Sequence, residues 1–175
     1  MTPKIIFRYS WIYDKHYREH SKGSYPSVRR ILKYIKEIER KLREVKNKVL
    51  KEIMKLTKIK WKEKEIICYI IGKGVAFSDP LTIRIYKDKN YFIDTLIHEL
   101  IHRNFMQDMD KTEKLMKPIN KKYKKENWNV RIHVLLDQIH KKIYDKFGWR
   151  KRMEKEIKYI SKLKDYKRAW ELVLK

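Results

Sequence analysis

Residues 91–106, YFIDTLIHELIHRNFM, decide how the rest of the chain is read. Phe92, Ile93, Leu96, Ile97, Leu100, Ile101 and Phe105 place apolar side chains almost all round a helix, which predicts a buried one. At its centre lies His98-Glu99-Leu100-Ile101-His102. Helical residues four apart share a face, so His98 and His102 can turn ring nitrogens toward one ion. Glu99 sits about 100° further round the helix and cannot join them as a ligand. It can instead reach a water on the ion's open side. Burying two histidines and a glutamate with no ion to satisfy them would cost several kcal/mol. The stretch therefore reads as a Zn2+ site, with His98 and His102 as ligands and Glu99 as general base.

Working outward, residues 81–86 alternate Leu81, Ile83 and Ile85 with Thr82, Arg84 and Tyr86, as a strand with one solvated face would. Asn90 or Asp88 can cap the helix that follows. Residues 65–71 and 4–9 read as strands, and 75–77 as a short extended piece after the Gly72-Lys73-Gly74 turn. Between the first two strands, Val28, Ile35, Leu42, Val49 and Leu56 recur every seven residues, with Ile31, Ile38 and Val45 between them. This predicts one helix over residues 26–58, about nine turns long, laid on a sheet. Residues 10–22 read as a polar, aromatic stretch without a long helix. Beyond the motif, residues 111–125 read as a lysine-heavy connection. Residues 127–147 read as a strong helix ended by Gly148, and 149–163 and 165–174 as two basic helices.

The composition sets limits. Forty-two per cent hydrophobic residues suffice for a core, and no apolar run approaches the length needed to cross a bilayer. The one cysteine, Cys68, excludes an intrachain disulfide and a multi-cysteine zinc site. No secretory signal is visible at the N-terminus, which points to the cytoplasm. Forty-six Lys and Arg against 22 Asp and Glu leave a net charge of +24. Such an excess attracts polyanions, nucleic acid foremost, and a basic face would present it. Heat-adapted proteins carry a similar Lys-, Ile- and Glu-rich composition, and solubility and thermal adaptation are the favoured account of it over a polyanion partner.

The order of elements and the HELIH motif together resemble the zincin metallopeptidases, over roughly residues 26–145. The resemblance implies an α+β fold: a small mixed or antiparallel sheet, a long backing helix, an edge strand shortly before the HExxH helix, and a helical C-terminal part. The helix end at Gly148 and the basic helices beyond it divide the chain into a domain at 1–148 and a basic helical extension at 149–175 packed on it. The resemblance implies a zinc-dependent peptidase acting on peptide or protein substrate. The alternative is a basic nucleic-acid-binding protein with a structural or vestigial metal site, or a protease acting on nucleic-acid-bound proteins.

A catalytic zinc usually takes three protein ligands, and several residues compete for the third place. Asp108 stands where one zincin branch has its third ligand, but Phe105 replaces that branch's glycine. On the helix at 127–147, His133, Asp137 and His140 share an edge, with Glu126 just ahead of it. His133 ranks first, because Val130, Ile132 and Val134 flank it and turn it inward. Asp94, one turn before His98, can accept a hydrogen bond from a ligand imidazole. A second, inverted pattern, His16-Tyr17-Arg18-Glu19-His20, lies in polar surroundings that suit a buried metal poorly.

Overall fold

The computed structural model describes residues 1–175 as an α+β protein of eight helices and one four-stranded sheet. The strands are β1 (Lys4–Arg8), β2 (Glu65–Ile71), β3 (Phe77–Ser78) and β4 (Leu81–Arg84). They lie in the order β1-β2-β4-β3; β1, β2 and β4 run parallel, and β3 is an antiparallel edge on β4. Helix α1 (Trp11–Glu19) follows β1, and α2 (Val28–Leu42) and α3 (Lys46–Thr57) precede β2. Helix α4 (Lys89–Met106) carries the motif. After it come α5 (Met109–Lys122), α6 (Trp128–Phe147), α7 (Arg150–Ile160) and α8 (Lys164–Val173).

Parallel strands must be covered on both faces, and alternate side chains of β2 show how. Ile66, Cys68 and Ile70 are buried in the main core with Ile31, Ile35 and Ile38 of α2 and Leu96 and Leu100 of α4. Phe92 of α4 touches Phe7 of β1 and Tyr34 of α2, with ring centroids 6.0 and 5.6 Å apart, so these helices share that face. Tyr69 and Thr82, neighbours in register, point the other way, onto Tyr13 of α1. Buried Asp14 fastens α1 there: it accepts from Tyr9, Tyr25 and the Gly72 amide, and pairs with Arg18.

Four expectations need correction. The helix foreseen over 26–58 is two, because residues 43–45 form a turn closed by the bonds Arg43 N to Arg40 O and Val45 N to Leu42 O. α2 lies on β1 and β2, whereas α3 turns Val49, Leu50 and Ile53 toward α4 and α6. The apolar spacing survives the short turn, which hides the break from periodicity. The stretch after β1 contains α1, whose inward side is polar and aromatic (Tyr13, Asp14, Tyr17) rather than aliphatic. The supposed connection at 111–125 is mostly α5, capped by Asp108, with Thr112, Met116 and Ile119 buried at helical spacing beneath the lysines. Thr82, expected in solvent, is fully buried, bonded to Pro80 O and Tyr13 Oη.

Helices α7 and α8 form no separate arm. α8 packs along α6, and α7 contacts α4, α6 and α8. Tyr144, Met153, Ile160 and Trp170 make a second, small core between them. No helix is long and apolar enough to cross a membrane.

Candidate metal centre

Helix α4 is fixed in place before any chemistry is considered. Asp88 caps its start, accepting from the Asn90 amide at 2.8 Å. Near its end, buried Asn104 accepts from Thr57 Oγ1 and donates to Ile59 O. Arg103, next to His102, pairs with Glu63 and donates to Ser78 O at 2.9 Å, tying the helix to the β3 edge. The burial of Phe92, Ile93, Leu96, Ile97, Leu100 and Ile101 leaves one polar stripe, which faces α6 and the C-terminal helices.

On that stripe His98 is 7% exposed and Glu99 8%, with His102 half-buried. Helix α6, started by the Asn127 cap and ended by Gly148 at φ +68°, brings His133 against them. Ring-nitrogen atoms of His98, His102 and His133 all lie within 4.8 Å of one another. His102 Nε2 and His133 Nε2 are 3.3 Å apart. Two nitrogens at about 2.05 Å from a tetrahedral ion are separated by roughly 3.3 Å, so this spacing has the size of a zinc site. His133 Nδ1 lies 2.7 Å from Asn129 O. A proton held on Nδ1 by that carbonyl leaves Nε2 with its lone pair directed at the cluster.

Burial sets the charge states. Desolvation, with the neighbouring imidazoles adding to it, holds His98 well below the ordinary histidine value. Desolvation takes His102 down to about 3 and lowers His133. All three are therefore neutral donors at neutral pH. Three neutral imidazoles suit zinc and the later first-row metals, and do not suit Ca2+ or Mg2+, which prefer oxygen. Desolvation alone pushes Glu99 up to about 8.

The remaining candidates are placed elsewhere. Asp108 caps α5, accepting from Lys111 N at 3.1 Å, and faces no imidazole of the cluster. Glu126 pairs with Arg168 of α8. Asp94 gives its carboxylate to Arg152, not to a histidine, which corrects the orienting role foreseen for it. Asp137 is buried with Oδ2 unbonded. His16 and His20 are exposed at the end of α1, with His20 Nδ1 against His16 O. His140 is fully buried with both ring nitrogens unbonded. It forms a second cluster with His98 and Glu156, and its Nδ1 is 3.8 Å from Glu156 Oε2. In that set the carboxyl already accepts from Tyr144 Oη, so one of its donors is engaged.

A cleft of about 440 Å³ opens beside the cluster, within the ordinary size range of ligand sites. His98, Glu99 and Thr95 line it from α4, and Gly74, Val75 and Ala76 from the segment leading into the β3 edge. The C-terminal helices supply Glu156, Tyr159 and Tyr166. The Tyr166 ring lies 4.2 Å from that of His133 and 5.9 Å from that of His98, centroid to centroid. Tyr166 and Glu156 are the residues sequence reasoning missed. Nothing distinguishes Tyr166 among 12 tyrosines until the α6–α8 packing brings it over the histidines. Comparison with protein-family models, with curated proteins and with solved structures gives no match.

Proposed function

We propose that this chain is a zinc-dependent metallopeptidase of the zincin kind that its sequence resembles, with His98, His102 and His133 as ligands. The observation that carries the reading is the cluster of three neutral imidazoles at zinc spacing, His98 and His133 buried and His102 half-buried, next to a buried carboxyl on the wall of a cleft. Zn2+ held there would supply Lewis acidity and lower the pKa of a water at its open position to about 7.

The chain's own groups do the rest. Glu99 takes the proton of the attacking water and returns it to the leaving amine; burial keeps its affinity for a proton near that needed at neutral pH. Burial also raises the Tyr166 pKa, so its phenol stays protonated and can donate to the oxyanion formed at the peptide carbonyl. The 74–76 segment on the cleft wall leads into β3, the two-residue antiparallel edge of the sheet, along which a peptide can align.

The test is metal content together with cleavage of denatured casein. The purified protein should hold about one zinc and cleave; Glu99→Gln should keep the zinc and lose cleavage by about 10²–10⁴-fold. A Glu99→Gln protein that cleaves at the original rate refutes the mechanism, and a protein that takes up no zinc refutes the reading.

A further inference from the structure

The far part of the cleft is walled by a closed ring of three tyrosines and one arginine. Arg84, at the end of β4, stacks over Tyr86 at 4.7 Å and donates from Nη2 to Tyr159 Oη at 2.7 Å. Tyr86 meets Tyr91 at 4.8 Å, and Tyr91 meets Tyr159 at 4.4 Å, centroid to centroid. Four other half-buried arginines hold carboxylates: Arg18 that of Asp14, Arg103 that of Glu63, Arg152 that of Asp94 and Arg168 that of Glu126; Arg131, which also pairs with none, does not line the cleft. Arg84 makes no ion pair, and the groups acting on it are tyrosines.

A guanidinium that is partly desolvated, held on an aromatic face and left without an acid is a prepared carboxylate receptor. Its planar fork meets two carboxylate oxygens at once, and the stacking ring has already restricted its rotamers. The apolar walls from Ile160 and Leu163 reduce screening inside the cleft. Position matters as much as charge. Tyr91 precedes His98 by seven residues on α4, which is about 10 Å along the axis. An extended peptide advances about 3.3 Å per residue. The ring therefore stands about three residues away from a bond lying at the imidazoles.

We propose that Arg84 and the ring of Tyr86, Tyr91 and Tyr159 form a subsite for a carboxylate. The substrates of this cleft are then peptides with an acidic group two to three residues from the scissile bond. This rests on the peptidase reading for the place of that bond. The carboxylate is either an Asp or Glu side chain or a free C-terminus, and the probes separate the two. The net charge of +24 draws such peptides toward the surface in general; of the two cations lining the cleft, Arg84 and Lys162, Arg84 is the one the tyrosine ring holds in place and so the one that selects the position.

The experiment uses the full chain, zinc-loaded, as the Glu99→Gln variant, so that binding is read without turnover. The probes are fluorescent heptapeptides, acetylated and amidated, alanine throughout except for one Glu moved along the chain, each matched by its Gln counterpart. A further pair carries a free or an amidated C-terminus. At one position, or with the free terminus, the acid should bind about ten- to a hundredfold tighter than its neutral match. Adding Arg84→Gln should erase that preference while neutral peptides bind as before, and Arg84→Lys should retain part of it. Unchanged circular dichroism and unchanged neutral-peptide affinity show that the variants are folded. Equal binding of acid and neutral peptides at every position overturns the subsite alone, as does a preference that survives Arg84→Gln. Failure to bind any of the peptides overturns the peptidase reading with it.

Discussion

Replacing His133 with asparagine separates the two histidine clusters, because His98 belongs to both. His133 serves only the first, with Nδ1 held by Asn129 O and Nε2 3.3 Å from His102 Nε2. His140 serves only the second. A structural zinc with four ligands binds with about 10–16 kcal/mol, or about 3 kcal/mol per ligand, so losing one ligand should weaken binding at least a hundredfold. The effect on stability follows by mass action. At a free zinc concentration about 1,000 times the original Kd, binding adds about 4 kcal/mol to folding; with Kd raised a hundredfold it adds about 1.4. For a domain of this size, 1 kcal/mol moves Tm by about 2–4 °C. Zinc should therefore raise the melting temperature of the original protein by about 8–16 °C, and that of His133→Asn by about 3–6 °C. His140→Asn should match the original in its response. Competition with a chromophoric chelator gives Kd, and calorimetry at fixed free zinc gives Tm. If His133→Asn binds zinc as before while His140→Asn does not, the ion belongs to His98, His140 and Glu156, and the assignment of His133 is wrong.

Two further outcomes follow from the same geometry. Tyr166→Phe keeps the ring against His98 and His133 but removes its donor, so kcat on a peptide substrate should fall about 10²–10³-fold with KM nearly unchanged; an unaltered kcat would remove Tyr166 from the reaction. Glu99 and Glu156, both raised by burial to about 8, keep protons in the folded metal-free protein that the unfolded chain releases near pH 4.5. Their favourable contribution is thus full at low pH and is lost as pH rises through about 8. Metal-free stability should fall between pH 6.5 and 8, by at most about 1.4 kcal/mol per pH unit for each carboxyl. Urea unfolding in chelator at three pH values measures this, and Glu156→Gln should lessen the slope; a slope of the opposite sign would contradict the burial argument.

Where side chains repeat at helical spacing and face inward, local chemistry and burial agree, and such elements were legible without coordinates. Helix α4 was placed within two residues, its cap at Asp88 was one of two foreseen, and Gly148 ends α6 as expected. Strand β2 matches its reading residue for residue. Elements whose buried side is polar or aromatic escaped notice, as α1 shows with Asp14, Tyr13 and Tyr17. So did α5, whose three buried residues are hidden among lysines.

The amino-acid sequence by itself determined the pair His98 and His102, the place of Glu99, and the burial of the helix that holds them. Each follows from 3.6-residue periodicity within a single element. Which residue stands against the pair was left among five, because what another helix presents there depends on how that helix is rotated. The packing of α6 on α4 brings in His133, turns Glu126 to Arg168, and leaves Asp108 as a cap. The packing of α7 and α8 on α6 then closes the cleft with Tyr159 and Tyr166. Residues 31 and more positions apart meet only when whole helix faces are matched, and no local pattern in the chain encodes that meeting.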